Sequence, residues 1–152
     1  MLVATEGTVT EYVVTEDGRE TMHEDVTLPE EPTVYGFGGG PAAWQPAFTE
    51  FAESVRRDLK LRYAGALVAD VNQVVTNGGV FAYPALSGSP AGKLRLQFEG
   101  NPIAAIVEAA GGASTTGHGS ILDVEPTGLH QRVPVHVGNT DLIDCLEGGD
   151  SR

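Results

Sequence analysis

Residues Arg62 to Pro102 read RYAGALVADVNQVVTNGGVFAYPALSGSPAGKLRLQFEGNP. Within them Leu67, Val71, Val74 and Val75 recur at the spacing of one helix face, and Asn77-Gly78-Gly79 supplies a stop. Val80 to Tyr83 is short and apolar and ends at Pro84, the pattern of a buried strand. After the turn cluster LSGSPAG, the run Lys93 to Phe98 alternates. Leu94, Leu96 and Phe98 fall on one face; Lys93, Arg95 and Gln97 fall on the other, with Glu99 of the same parity. Period two therefore predicts both cations and the carboxylate on a single face. Asn101-Pro102 then opens a helix, with Asn101 as N-cap and Pro102 at the first helical position, running to Gly111-Gly112. Helices and strands alternate without a repeat, which predicts an α/β layered domain.

Working outward, the segment upstream is extended. Residues 1–32 predict an acidic β-hairpin belonging to the same domain, with its turn at Glu16-Asp17-Gly18. Val34 to Phe37 is a short buried strand, followed by the loop Gly38 to Trp44. That loop lacks the lysine and hydroxyl of a nucleotide-binding P-loop, so a connector is the plainer reading. From Pro46 to Lys60, Phe48, Phe51, Val55 and Leu59 share one helix face and belong to the core. Downstream, ASTTG, ILDVEP and RVPVHVG predict short strands, and a helix over Thr140 to Leu146 closes the domain at 33–147. Residues 148–152 are expected to fray.

The chain has 152 residues, enough for one domain with its own core. Acidic residues number 21 against 9 basic ones, a formal charge of -12, and Lys60 and Lys93 are the two lysines. Such a field repels polyanions and speaks against nucleic acid or an anionic membrane as partner. Sparse lysine and dense carboxylate fit a high-salt cytoplasm. No apolar run approaches the roughly 18 residues of a membrane span, and no basic region leads into an apolar block at the N-terminus. The single cysteine, Cys145, excludes an internal disulfide and fits a reducing, cytoplasmic setting; in DLIDCLE it reads as a small packed side chain.

Tyr63, Tyr83, Lys93 and Arg95 sit at ends of predicted elements, where α/β folds place binding groups. A phosphate monoester offers three acceptor oxygens, which an ammonium and phenolic hydroxyls satisfy. Each tyrosine alone reads equally as amphipathic packing. Glu99 stands before a helix start, where a carboxylate serves either as an Mg²⁺ ligand or as a favourable first-turn charge. One carboxylate does not make a two-metal centre. His118, His130 and His136 lack the spacings of a zinc site, and no GxSxG elbow occurs.

The runs RYAGALVADV, GGVFAYPA, GKLRLQFEGNP, EAAGG and ILDVEPTGLHQRVPVHVG resemble class I fructose-1,6-bisphosphatase, in order, over about residues 33 to 147. What they resemble is the C-terminal half of that enzyme, a member of the lithium-sensitive, Mg²⁺-dependent sugar phosphatases. The resemblance implies a mixed β-sheet flanked by helices. It implies that Tyr63, Tyr83 and Lys93 hold the 6-phosphate of fructose 1,6-bisphosphate or of the product fructose 6-phosphate. Arg62 would reach the 6-phosphate of a neighbouring subunit in a homo-oligomer. The backbone from Gly65 to Leu67 would contact the sugar, Arg95 would lie near the reacting end, and Glu99 would be a metal ligand. Leu67 stands where the family often has methionine.

Two departures qualify the resemblance. Gly38 and Pro41 occupy the loop where the family carries an asparagine and a tyrosine on the 6-phosphate, with one residue deleted. The family's Asp-Pro-x-Asp-Gly-Ser element and upstream glutamate, from its N-terminal half, do not occur. No catalytic set is complete within the chain, and Mg²⁺ would need ligands from that other half. The expected role is the sugar-phosphate-binding half of a gluconeogenic phosphatase, inactive alone, from a split or truncated gene. The rivals are a non-catalytic sugar-phosphate-binding module and a degenerate remnant.

Overall fold

A computed structural model describes residues 1–148. The chain begins with three antiparallel strands, β1 (Leu2–Thr5), β2 (Thr8–Thr15) and β3 (Gly18–His23), in the order β1-β2-β3. This is one strand more than the expected hairpin. The extra strand arises because Glu6 and Gly7 both adopt positive φ, the geometry of a tight two-residue hairpin turn. The turn after Thr15 falls where Glu16-Asp17-Gly18 predicts it.

The central layer is built from β4 (Val34–Phe37), α1 (Pro46–Asp58), β5 (Lys60–Leu61), α2 (Leu67–Asn77) and β6 (Gly79–Tyr83). Both β5 and β6 run parallel to β4, because each helix carries the chain back across the sheet before the next strand begins. The second half adds β7 (Leu94–Arg95), α3 (Asn101–Ala109), β8 (Ala113–Thr115), β9 (Arg132–Val133), β10 (Val135–Gly138) and α4 (Thr140–Glu147). β10 enters antiparallel to both β6 and β8, giving a mixed five-stranded sheet ordered β5-β4-β6-β10-β8. The expected mixed α/β layering is therefore what the chain forms.

Alternation along the strands divides the core in two. Val80 and Ala82 of β6 pack with Phe48, Phe51 and Val55 of α1 and Ile143 of α4. Phe81 of β6, with Val135 and Val137 of β10, packs with Val71, Val74 and Val75 of α2 and Val107 of α3. Apolar side chains on both faces explain why these strands read as continuous hydrophobic runs. Burying a residue of this kind contributes about 1.5–3 kcal/mol, so the sandwiched sheet is the main source of stability.

Four expectations give way, one of them at Cys145, which is exposed on α4 instead of packed. The strand foreseen over Lys93 to Phe98 stops at Arg95, where a two-residue ladder with Arg132–Val133 ends and the chain winds into a wide helical turn over Leu96–Gly100. Leu96 is fully buried while Phe98 is 48% exposed, so the two do not share an apolar face. Asn101 is not a cap: it already has helical φ and ψ, continuing that turn into α3, with Pro102 in the first turn. ILDVEP forms a short 3₁₀ turn at Ile121–Asp123 instead of a strand. The tail expected at 148–152 lies outside the described residues beyond Gly148, which ends α4.

Candidate phosphate-binding site

Two glycines, Gly36 within β4 and Gly38 just past its end, set the geometry. Tyr35 and Phe37 turn into the α1 core, so Gly36 and Gly38 face the opposite side. A Cβ at position 38 would meet Cδ2 of Tyr83 at 2.2 Å, and one at position 36 would meet the Arg62 carbonyl at 2.6 Å and Cδ2 of Tyr63 at 3.6 Å. The two tyrosine rings thus lie over adjacent bare positions at the end of one strand, Tyr83 from the end of β6 and Tyr63 from just beyond β5. Burial, then the neighbouring Tyr83 phenol and the Asp70 carboxylate, push the Tyr63 phenol above its ordinary pKa. It is held as a protonated donor.

The segment carrying Tyr63 is pinned residue by residue. The Arg62 N–H donates to the Tyr35 carbonyl at 2.8 Å, extending the β5 pairing. The Ala64 N–H donates to Oδ1 of Asp70 at 2.6 Å. Gly65 then takes φ +74°, a left-handed turn that delivers the chain to Leu67, the first residue of α2. Arg62 donates to the Leu61 carbonyl at 2.9 Å and its residue is exposed.

Lys93 lies exposed in the turn before β7, and its carbonyl accepts from the Arg132 guanidinium. Its ammonium has no carboxylate partner among the described residues. Arg95 and Glu99 form their own unit. Oε2 of Glu99 accepts from the Arg95 backbone N–H at 2.7 Å and from Nε at 3.2 Å. The expected shared face is replaced by an i,i+4 ion pair, which the helical turn makes possible and a strand would not. The Arg95 guanidinium also lies 5.0 Å from the centre of the Phe98 ring.

Two hollows flank the start of α2. One, about 580 Å³, is lined by Arg62, Tyr63, Ala69, Asp70 and Gln73. The other, about 940 Å³, is lined by Leu67, Ala69, Phe98, Glu99 and Ile103 among others. Ala69 is common to both, so Tyr63 and Glu99 border adjoining hollows instead of one. Tyr63 and Tyr83 are brought together, as are Leu67 with Glu99 and Arg95 with Glu99. Glu99 keeps one oxygen free of protein partners, yet no group of three or more metal-ligating side chains occurs among the described residues. These residues offer Mg²⁺ one ligand and not a site.

Sequence reading missed Asp70. It stands in the first turn of an apolar helix, and its 2% exposure and its bond to Ala64 emerge only when the chain folds back. A lone aspartate inside the stripe LVADV was the available signal.

With this geometry in place, family comparison defines the class: residues 28–148 match the model for the fructose-1-6-bisphosphatase C-terminal domain, and the chain belongs to that family. It is 55% identical over 147 residues to the class 1 fructose-1,6-bisphosphatase 1 of Haloarcula marismortui, covering 97% of this chain and 50% of the relative. Its identity to the class 1 enzyme of Natronomonas pharaonis is 59% over 148 residues, covering 97% and 52%. A class 1 enzyme of Geobacter metallireducens shares 46% over 127 residues. The chain spans about half the length of the curated relatives it matches most fully. Halophilic archaea among those relatives accord with the acidic composition. No described helix is long and apolar enough to cross a membrane.

Proposed function

We propose that this chain is the sugar-phosphate-gripping half of a fructose-1,6-bisphosphatase, acting in a cytoplasmic, gluconeogenic setting. The phenols of Tyr63 and Tyr83 and the ammonium of Lys93 hold the 6-phosphate of fructose 1,6-bisphosphate or fructose 6-phosphate. Arg62 serves a neighbouring subunit of a homo-oligomer, the Gly65–Leu67 backbone touches the sugar, and Arg95 stands toward the reacting end. Glu99 contributes one ligand to Mg²⁺, whose other ligands come from an N-terminal half. The observation that carries this reading is the placement of two phenols side by side over the bare backbone of Gly36 and Gly38. Gly38 and Pro41 offer no side-chain donors in the adjoining loop, and the Trp44 indole N–H is taken by the Gly38 carbonyl, so the grip relies on the phenols and the lysine.

Phosphoryl transfer demands charge neutralisation around the transferred group. One carboxylate does not provide it, so the 152-residue chain alone is expected to hydrolyse fructose 1,6-bisphosphate far below an enzyme-like rate of about 1 s⁻¹. Addition of an N-terminal half from a relative should restore turnover with Mg²⁺. Calorimetry supplies the binding test: fructose 6-phosphate should bind, and Lys93→Ala and Tyr83→Phe should each weaken binding about tenfold or more. Turnover by the isolated chain, or affinity unchanged in both variants, would overturn the proposal.

A further inference from the structure

Asp70 is a charged side chain buried to 2% exposure, with Oδ1 bonded to a backbone N–H and Oδ2 without any partner. Burying a carboxylate is costly, and a half-satisfied one demands a reason. The helix does not supply one. Asp70 lies on the face of α2 that also carries Val71, Val74 and Val75, where an apolar residue would pack without cost. Its neighbours do supply one. The stretch Arg62–Ala64 is held at three successive points: the Arg62 N–H on Tyr35, the Tyr63 ring over Gly36, and the Ala64 N–H on Asp70. The first two hold the segment to β4. The third is a side-chain bond that ties Ala64 to α2 just before Gly65 turns the backbone toward Leu67, where the Ala66 carbonyl accepts from the Asp70 backbone N–H at 2.9 Å.

We infer that Asp70 is a positioning residue for the phosphate grip. Its Oδ1 locks the Tyr63–Leu67 segment so that the Tyr63 hydroxyl and the Gly65–Leu67 backbone present themselves together to a sugar phosphate. The inference deepens the reading proposed above and rests on it for the identity of the ligand. The acceptor oxygen is what matters, not the charge. A second negative charge beside a phosphate site opposes a dianion, and Oδ2 has no donor to lose. This separates two substitutions that a purely structural role would treat alike. Asp70→Asn keeps an acceptor at the Oδ1 position and removes the charge. Asp70→Ala removes both.

The experiment has two arms on the full chain. In the first, amide hydrogen exchange is followed at Ala64 and, as an internal reference, across β6 (Gly79–Tyr83). Asp70→Ala should speed exchange at Ala64 at least about tenfold while β6 is unchanged, and Asp70→Asn should keep most of the protection. In the second, calorimetry with fructose 6-phosphate should show about tenfold weaker binding for Asp70→Ala. Asp70→Asn should bind as well as the parent chain or better. Unchanged Ala64 exchange in Asp70→Ala, or equal acceleration throughout β6, would overturn the inference, as would equal loss of affinity in both variants. A parent chain that binds no fructose 6-phosphate would instead sink the proposed function. The exchange arm would then still decide whether Asp70 holds the segment.

Discussion

At the scale of the residue, the site is shaped by what two positions lack. Gly36 in β4 and Gly38 just past its end stand where any side chain would collide with the segment bearing Tyr63 or with the Tyr83 ring. The consequence is testable at position 38. In Gly38→Ala the new methyl falls 2.2 Å from Cδ2 and 2.4 Å from Cε2 of Tyr83, so the ring must swing away. Overpacking of this kind costs about 1–3 kcal/mol in stability. Binding of fructose 6-phosphate should weaken at least about tenfold, more than the global loss of stability explains at temperatures where the variant remains folded. Gly40→Ala is the control, because a Cβ there meets nothing within 4 Å. Equal affinity in Gly38→Ala and the parent chain would show that Tyr83 does not need its place over β4. The same scale explains what the sequence could not reveal. That Tyr63 and Tyr83 occupy ends of elements was legible from Pro84 and from the run of Leu67 onward. That both lie over neighbouring glycines at the end of a third strand depends on parallel pairing, which no local pattern encodes.

At the scale of the element, strand β10 carries a cost the rest of the sheet does not. His136 alternates with Val135 and Val137, so it points into the α1 and α4 layer against the Phe48 ring, at 4% exposure. Its Nδ1 meets the Thr115 carbonyl at 3.0 Å. Burial lowers its pKa to about 4, outweighing the opposing effects of the Thr115 carbonyl and the Glu147 carboxylate. The folded value lies below the ordinary 6.5, so the unfolded chain takes up the proton first as pH falls. Stability is therefore complete above about pH 6.5 and declines toward pH 4, with a slope approaching about 1.4 kcal/mol per pH unit. Glu147 adds a later loss in the same direction. Its hydrogen bonds from the Thr115 hydroxyl and the Gly119 N–H hold it below the usual glutamate range, so its contribution declines as pH falls from about 4.5 toward that lower value and is gone below it. Denaturation midpoints measured from pH 7 to 4.5 should fall in the parent chain and flatten in His136→Leu; parallel curves would contradict the assignment. The elements themselves were largely legible. The stripes of α1 and α2 and the run of β6 were strong because each is buried on a continuous face. The strand foreseen over Lys93 to Phe98 was not, because alternation over six residues cannot distinguish a strand from a two-residue ladder followed by a helical turn. The i,i+4 spacing of Arg95 and Glu99 was the signal for the turn.

At the scale of the whole molecule, a formal charge of -12 on 152 residues is the dominant fact. Among the described residues, one ion pair between Arg or Lys and a carboxylate draws on that excess, Arg95 with Glu99, while His23 Nδ1 lies 2.8 Å from Glu11 Oε2. Unpaired carboxylates repel one another, and salt screens the repulsion over a Debye length of about 10 Å at 0.1 M and about 3 Å at 1 M. Thermal denaturation should accordingly shift upward as KCl rises from about 0.1 to about 2 M, and a flat profile would remove the link between acidity and a saline setting. Lys93 is an exposed cation without a carboxylate partner among the described residues, as are Lys60 and Arg62. The fold class and the family could be read from the chain's own motifs, since KLRL, Glu99 and Asn101-Pro102 occur in a specific order. The convergence of Lys93 with the two phenols belongs to the proposal, and the turn cluster Leu86–Gly92 between them follows a path that sequence does not specify. A crystal structure of the chain with fructose 6-phosphate tests that convergence most directly. The phosphate oxygens should lie within about 2.5–3.2 Å of the Tyr63 and Tyr83 hydroxyls and of Nζ of Lys93. A phosphate bound elsewhere, or one touching neither phenol, would contradict it.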